Sequence, residues 1–523
     1  MWAPQQHEDE GAPSSAAIEG GGALTRFFRY FPADVLLFPA ANPTIKRVRI
    51  NLSITIFAMT LLATLAVSYL GRRHEARRRG GALAGQGLNR WLVGLSAGAT
   101  ANSGFVVTAA VGLGYSQGAR WLLLPLAWLA GDVLFWIVFP QRINRMGAEA
   151  QATTLTDVVV LGLPAPSKRV LQVLIGSITL VCLGGYVSAQ WVSGQKFLMG
   201  AFGFGSIVSL FVFAAVIVVY SSLGGFRGSV YADSLQAVIR VVGTLIAVVA
   251  LWMVASRNEA AFWANLQGAG PEFLRLIPAN GLLAALASSA GFAAAALGFG
   301  LGQPQMVTRY LAGASPRETQ QAWWIYMLFV QSTWIAMTAF GIALRGVMPG
   351  LADPEMGLSV FHREMTGPII TGIIAADIFA TIAATSNSIL VAMAQTVTVD
   401  LRRARVANET GHRDLWLPIA VLGAGTMLLS LSLHSSVKDL ALSSVGILGA
   451  GLAPAMIIRV LRWRHTPTAL LCSVVGGFAT ATLWKYTGFN DIINEAAPGI
   501  AVGLVVNALI ARPWSRTATN PRD

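Results

Sequence analysis

The chain has 523 residues, a mean hydropathy of +0.60 and only 12% charged residues. Soluble globular domains carry about 25% charged residues, so this composition excludes an ordinary soluble protein. The formal net charge is +13, but Arg and Lys collect in alternate loops between apolar segments, which is the positive-inside pattern of membrane proteins and not a nucleic-acid-binding surface.

Apolar segments long enough to cross a bilayer, about 20 residues each, recur from residue 51 onward. They predict an all-α polytopic protein of the inner cell membrane, with the lipid bilayer as a partner and the C-terminus in the cytoplasm. The thirteen predicted spans are 51–70, 91–115, 120–139, 170–195, 206–222, 230–254, 281–302, 323–345, 367–399, 415–433, 438–458, 467–484 and 498–511. We expect 1–45 to be a largely disordered extracytoplasmic tail, 46–512 the transmembrane domain and 513–523 a cytoplasmic tail. Nothing in the sequence indicates a partner protein.

The second predicted span carries a small, polar interruption, Ser96-Ala-Gly-Ala-Thr-Ala-Asn-Ser-Gly104. The side chains of Thr100, Asn102 and Ser103 are unusual in an apolar segment, and the Asn102 amide is costly in lipid unless it has hydrogen-bond partners. A helix broken around a ligand accounts for this pattern. The alternative, in which small residues only let helices approach closely, stays open.

The third predicted span contains Asp132 near its middle. A carboxylate at this depth costs about 2.5–3.5 kcal/mol on insertion scales, which makes it a candidate functional residue. Two roles are open, the coupling of an ion to transport and a structural ion pair inside the bundle. Arg240, deep in the sixth span, is a possible partner for such a pair.

The connection between the fifth and sixth spans reads Ser221-Ser-Leu-Gly-Gly-Phe-Arg-Gly-Ser-Val-Tyr-Ala-Asp-Ser-Leu-Gln236. A Gly-Gly pair is followed there by Asp233, an acid in or near the membrane, and then by Gln236. The cost of placing an acid at this depth makes Asp233 a candidate for ion coupling or for a cytoplasmic gate.

The seventh predicted span contains Ala296-Leu-Gly-Phe-Gly-Leu-Gly-Gln-Pro304, with glycine at every second position before the proline. Glycine leaves the backbone free and proline removes a donor, so we expect the helix to break between Gly298 and Pro304. This interruption comes five spans after the first one. Paired interruptions at matching places in two halves of a chain indicate the binding site of a transporter.

These stretches together resemble the sodium/solute symporter family. The signature of that family, a Gly-Gly pair followed by Asp and then Gln, is present between the fifth and sixth spans, with Tyr231-Ala232 in place of the usual Trp-Thr. The opening at Ser96, and the stretch Gly300-Leu-Gly-Gln-Pro304 with Arg309-Tyr-Leu-Ala312 after it, are most similar to the sodium/proline permease branch.

The resemblance implies a leucine-transporter-type fold of two inverted five-helix repeats, with the first and sixth core helices broken around a small-molecule substrate. The substrate-binding positions implied by the two interruptions are Thr100, Asn102, Ser103, Phe105, Ala296, Gly300, Gln303 and Pro304. The proline permeases carry aromatic rings where this chain has Ala296 and Gly300. We therefore expect a wider pocket and a solute bulkier than proline, within the class of amino acids, carboxylates and similar molecules.

The resemblance also implies a sodium site where backbone carbonyls of the first core helix meet hydroxyls of the eighth. The implied positions are the carbonyls of Ala99, Asn102 and Thr381 and the side chains at Ala384 and Thr385. Ala384 replaces the family's usual Ser, and Ala101 replaces an Asp of the proline permeases. We therefore expect one ligand to be missing and the sodium site to be weak.

Asp377 lies on one helical stripe with Thr381, Ala384 and Ser388. It is a candidate for assisting the cation or for carrying a proton, with a packed, hydrogen-bonded Asp as the alternative. The sequence thus predicts sodium-coupled symport of a small organic solute, with Na⁺ as the coupling ion. A proton-coupled symporter of the same fold, using H⁺, and a transporter-like solute sensor are the alternatives. The absence of a P-loop or a His-Glu metal motif argues against an enzyme.

Overall fold

The computed structural model describes residues 43–77, 87–277, 281–401, 415–432 and 436–511, and these are almost entirely helical. Apart from an isolated bridge between Leu88 and Gly313, the described residues form no β-structure. The α-helices in chain order are α1 Pro43–Arg77, α2 Arg90–Ala101, α3 Gly104–Val107, α4 Ala109–Gln117, α5 Leu123–Val138, α6 Pro140–Ala150, α7 Leu155–Val160, α8 Ala165–Phe202, α9 Ser206–Ala255, α10 Glu259–Gly268, α11 Leu282–Gly302, α12 Pro304–Leu311, α13 Pro316–Gln321, α14 Trp323–Val347, α15 Gly357–Met365, α16 Pro368–Gln395, α17 Trp416–Ser432, α18 Val437–Val460, α19 Pro467–Tyr486 and α20 Ala496–Ile510. A π-helical turn, Thr396–Leu401, continues α16.

The described part of the chain contains nine segments long and apolar enough to cross a membrane. Three shorter apolar helices, Ser206–Ser222, Trp416–Ser432 and Ala496–Ile510, accompany them. The all-α polytopic class is therefore confirmed, while the count of thirteen spans stays a prediction. The C-terminal tail and all but the last three residues of the N-terminal tail lie outside the described residues; Pro43 to Ile45 already belong to α1.

The long helical segment α9 folds back on itself. Two distant residues of α9 contact the same part of α16. The ring of Phe213 is 5.8 Å from that of Phe379, and Arg240 Nη1 is 2.8 Å from Asp377 Oδ2. In a straight helix, Phe213 and Arg240 would be about 40 Å apart. The chain therefore reverses within α9, as expected for two spans at 206–222 and 230–254.

The first interruption forms where it was predicted. The α2 helix ends at Ala101, Asn102 and Ser103 leave the helical conformation, and α3 begins at Gly104. The Ser103 hydroxyl accepts from the Phe105 amide at 3.2 Å, and Gln190 Oε1 of α8 accepts from the Gly104 amide at 2.9 Å. Such partners let a helix break persist away from water, where an unpaired amide costs several kcal/mol.

The second interruption is shorter than predicted. The α11 helix continues through all three glycines to Gly302, and only Gln303 (φ −96°, ψ 112°) leaves the helix before Pro304 starts α12. The break lies within the predicted interval, but the expectation that the glycines interrupt the helix is corrected, because Gly298 and Gly302 serve packing. A Cβ on Gly302 would lie 2.9 Å from Gly449 Cα of α18, so only glycine permits this close approach.

We predict that Gly302→Leu lowers the melting temperature of the protein in detergent, because overpacking a tight helix contact costs about 1–3 kcal/mol or more. Gly425→Leu is the matched control, since Gly425 of α17 is exposed and a Cβ there meets nothing within 4 Å. Equal melting temperatures for the two variants would contradict the proposed role of the glycine contact.

Candidate functional site

The end of α2 meets the middle of α16 at the implied cation position. The Thr385 hydroxyl donates to the Thr100 carbonyl at 2.9 Å and lies 3.5 Å from the Ala99 carbonyl, in a fully buried position. Two of the implied ligands, Ala99 and Thr385, are thus brought together. Na⁺ prefers hard oxygen ligands, and this junction offers two backbone carbonyls at a helix end together with one side-chain hydroxyl.

The other implied ligands are arranged differently. The Asn102 side chain turns to α14, where its Nδ2 donates to Thr333 Oγ1 at 2.5 Å. Ala384 is fully buried, and its carbonyl accepts from the Ser388 hydroxyl at 2.7 Å. The Thr381 hydroxyl bonds back to the Asp377 carbonyl at 2.9 Å. These contacts involve the side chains of Asn102 and Thr381 and not their carbonyls, which were the implied ligands. The structure thus brings Ala99 and Thr385 together, while the carbonyls of Asn102 and Thr381 stay predicted ligands.

A cavity of about 30 Å³ lies beside the α2–α3 break. Ser103 and Phe105, both predicted substrate positions, line it. The sequence analysis did not name the other lining residues as substrate positions. They are Ala101, Val106, Trp128, Tyr186, Phe299, Val330, Trp334, Ala441, Leu442 and Val445. They come from α2, α3, α5, α8, α11, α14 and α18, so no local motif could have identified them together.

Other predicted substrate positions lie away from this cavity. A Cβ on Gly131 of α5 would lie 2.7 Å from the Ala296 methyl, and a Cβ on Gly300 would lie 2.6 Å from the Phe135 ring. Ala296 and Gly300 therefore face α5, and their small size allows close helix packing. The expectation that they widen the substrate pocket is corrected. Thr100, Gln303 and Pro304 are buried at the two breaks and do not line the cavity.

Four buried polar atoms near the α2–α3 break and α14 have no hydrogen-bond partner among the described residues. They are Asn102 Oδ1, Gln190 Nε2, Gln331 Oε1 and Trp334 Nε1. Buried polar groups are normally paired, so this cluster of two acceptors and two donors is suited to a polar ligand.

A larger cavity of about 530 Å³ shares one lining residue, Leu442, with the small one. Its walls include the charged side chains of Arg120, Lys438, Asp439, Lys485, Asp491 and Glu495. Burial raises the pKa of the Glu495 carboxyl above its ordinary value.

A buried ion pair joins α9 and α12 and contacts α2 and α16. Arg309 Nη2 of α12 is 2.8 Å from Asp233 Oδ2 of α9 and 2.6 Å from the Ser388 hydroxyl of α16. The Ser96 hydroxyl of α2 accepts from Arg309 Nε at 2.8 Å and donates to Asp233 at 2.8 Å. The sequence identified Asp233, but its partner Arg309 lies too far along the chain for a local pattern to reveal the pairing.

Two further acids lie in the membrane domain. Asp377 pairs with Arg240 at 2.8 Å, and both side chains are fully buried. The suggested pairing of Arg240 with Asp132 is therefore wrong. Asp132 receives a long hydrogen bond of 3.4 Å from Gln331 Nε2 and forms no ion pair with any described residue.

The comparisons with known proteins agree with this architecture. The model of the "Sodium:solute symporter family" matches residues 82–477. The osmoregulated proline transporter OpuE of Bacillus subtilis is 26% identical over 82% of this chain and 89% of its own length. The sodium/proline symporter of Escherichia coli is 23% identical over 87% of this chain and 92% of its own length. A solved Na⁺-coupled sialic acid symporter matches 89% of this chain and 98% of its own, with a TM-score of 0.73 and 15% identity, which shows the shared fold.

We predict that the buried Asp233–Arg309 pair behaves as a unit. Removing one partner of a buried pair leaves an uncompensated charge and costs about 3–5 kcal/mol, whereas replacing both by apolar residues costs far less. Asp233→Leu and Arg309→Met should each lower the melting temperature more than the double variant does. The exposed pair Arg275 and Glu272 is the control, since surface pairs contribute about 0–1 kcal/mol. Additive effects at Asp233 and Arg309 would contradict the coupling.

Proposed function

The chain belongs to the sodium:solute symporter family, and from that membership we propose that Na⁺ binds between α2 and α16 and that the solute is proline or a compact molecule like it. The protein is a multi-pass membrane transporter that couples sodium to the movement of a small organic solute. Its relatives are transporters, and this function needs no chemical reaction.

The observation that carries the sodium site is the position of the Thr385 hydroxyl. It lies 2.9 Å from the Thr100 carbonyl and 3.5 Å from the Ala99 carbonyl, across the junction between α2 and α16. A cation at this junction would replace the hydrogen bond of the hydroxyl and bind its oxygen together with the two carbonyls. Because the ligands belong to two helices, binding would also hold those helices together.

The site is expected to be weak, because Ala384 contributes no side-chain oxygen. Losing one such contact costs on the order of 1–2 kcal/mol, comparable to a hydrogen bond to a charged group. Each 1.4 kcal/mol is about a tenfold change in affinity. We therefore expect half-saturation at a higher sodium concentration than in relatives with Ser at this position.

Two features support a compact, proline-like solute. The relatives OpuE and PutP of Bacillus subtilis are proline transporters, and the central cavity is lined mostly by rings and aliphatic side chains, which suit an apolar ring. Since Ala296 and Gly300 face α5, they no longer supply a reason to expect a bulkier solute.

The acids divide into distinct proposed roles. Asp233, locked to Arg309, serves as the cytoplasmic gate, on the side where the loop charges place the cytoplasm and the C-terminus. Asp377 has a permanent cationic partner in Arg240, which favours a structural role over that of a proton carrier. Proton coupling remains the second candidate because the cation site is incomplete.

We predict that, in proteoliposomes, uptake of L-proline follows the sodium gradient at constant pH. Thr385→Ala should raise the half-saturating sodium concentration about tenfold, because the site loses the hydroxyl that lies against the Thr100 and Ala99 carbonyls. Ala384→Ser should lower it by restoring an oxygen. Thr338→Ala is the control, since the hydroxyl of Thr338 bonds only to the Trp334 carbonyl of its own helix.

A different set of results would indicate that protons, and not sodium ions, drive uptake. If uptake ignores sodium, follows an imposed pH gradient and is lost in Asp377→Asn, the proton-coupled alternative is correct. If the protein binds proline with the predicted sodium dependence but transports none, it is a sensor.

A further inference from the structure

A groove of about 600 Å³ runs between α9 and α14 and ends at α10. It shares no lining residue with the central cavity. Trp252 of α9 and Trp263 of α10 line it, and they are 54% and 53% exposed. Tryptophans this exposed on a membrane protein meet lipid near the membrane surface. The groove therefore opens sideways toward the bilayer and not inward toward the central site.

Small side chains form one side of the groove. Ala336, Ala339 and Ala343 follow one another at intervals of three and four positions on α14 and therefore share one face of that helix. Small residues on a membrane helix normally admit a neighbouring helix in close contact. Ala339 is nevertheless exposed, so no described helix covers this face. The alanine face of α14 is thus left to the hydrocarbon of the bilayer.

The short helix α10 is fixed across one end of the groove. Asn265 Nδ2 donates to the Gly346 carbonyl of α14 at 2.8 Å, and a Cβ on Gly346 would lie 2.5 Å from the Phe262 ring. The Trp263 ring packs edge-on against Phe262, with 5.2 Å between the ring centroids. Close packing therefore holds both rings in place, and the end wall of the groove is part of the folded structure.

The groove begins at the level of the lipid headgroups. The apolar span of α9 ends at Ala255, and the loop charges predict that this end faces outward. Val248 and Ala255 both line the groove, and seven residues of helix cover about 10 Å. The hydrocarbon core of a bilayer is about 30 Å thick, so the groove extends from the interface into the outer third of that core. This depth suits the headgroup and the upper acyl chain of one phospholipid.

Glu259 gives the outer end of the groove a negative charge. It is the one charged side chain among the described residues that line the groove, and Arg257, two positions earlier, does not line it. Trp263 follows Glu259 by four positions on α10, so the ring and the carboxylate are neighbours on one helical face. A carboxylate accepts strong hydrogen bonds from an ammonium group, and an indole face attracts the same charge. An anionic headgroup is repelled by this carboxylate.

We propose that the groove is a binding site for one phospholipid whose headgroup carries an ammonium group, with phosphatidylethanolamine as the type. An acyl chain lies along the alanine face of α14, and Glu259 and Trp263 hold the ammonium group. Because the lipid contacts α9, α10 and α14 together, it fastens these three helices at the outer surface. This inference goes beyond the proposed transport and depends on neither the solute nor the coupling ion.

The test counts the lipids that stay bound to the purified, delipidated full-length protein in native mass spectrometry. The probes are dioleoyl phosphatidylethanolamine and dioleoyl phosphatidylglycerol, supplied in equal amounts. They share the phosphate and the acyl chains, so only the ammonium group can produce a preference. One ethanolamine lipid should be retained, with a preference of at least about fivefold over the glycerol lipid, as expected for one ion pair near the surface.

Two variants separate the headgroup contact from the acyl-chain contact. Glu259→Gln should bind the two lipids equally, whereas Glu149→Gln, at an exposed acid of α6, should keep the preference of the parent. Ala339→Phe should remove the retained lipid, because the added ring fills the groove. Ser332→Phe is its control, since Ser332 is exposed on the same face of α14 two turns earlier and does not line the groove.

Melting temperatures in detergent without lipid establish that each variant is folded, and if Ala339→Phe does not fold, Glu259→Gln still decides the question. Equal retention of the two lipids by the parent would overturn the proposal, as would an unchanged preference in Glu259→Gln. Retention of the ethanolamine lipid by folded Ala339→Phe would place the lipid elsewhere and overturn it too. If the parent instead carries a second copy of this chain that Ala339→Phe removes, the groove is a dimer interface and the proposal is wrong.

Discussion

Arg309 donates hydrogen bonds to side chains on three other helices from a position that is 2% exposed. A guanidinium in such surroundings is tolerated only when a carboxylate and further acceptors compensate its charge. Asp233, Ser96 and Ser388 supply that compensation, so α2, α9, α12 and α16 are held in one arrangement. The packing of the central site against these helices depends on this network.

The same network offers a physical route between the proposed ion site and the gate. Ser388 lies 2.6 Å from Arg309 Nη2 and 3.1 Å from the Thr100 hydroxyl, while the Thr100 carbonyl accepts from Thr385. An ion that binds at Thr385 would therefore act on Thr100, which is two hydrogen bonds from Arg309 of the gate, by way of Ser388. Coupling requires only that the ion bind one arrangement of these helices more tightly than another.

The sequence predicted those features that depend on local chemistry. Small polar residues and a proline marked both helix breaks, and the cost of membrane acids identified Asp132, Asp233 and Asp377. Long-range pairing could not be predicted, since nothing local specifies that Arg240 meets Asp377 instead of Asp132. The other rings beside the central cavity, Trp128, Phe299 and Trp334, escaped notice for the same reason, because they come from α5, α11 and α14. The glycines of α11 were misread because helix packing and helix breaking require the same residue type.

The central claim is that sodium and solute move together, and a flux measurement tests it most directly. Proteoliposomes with equal sodium on both sides are given an inward gradient of L-proline, and the entry of radioactive sodium is followed. The account predicts that sodium accumulates inside the proteoliposomes although its concentration is equal on both sides at the start. Thr385→Ala should largely abolish this accumulation. Entry of proline without any movement of sodium would contradict the account.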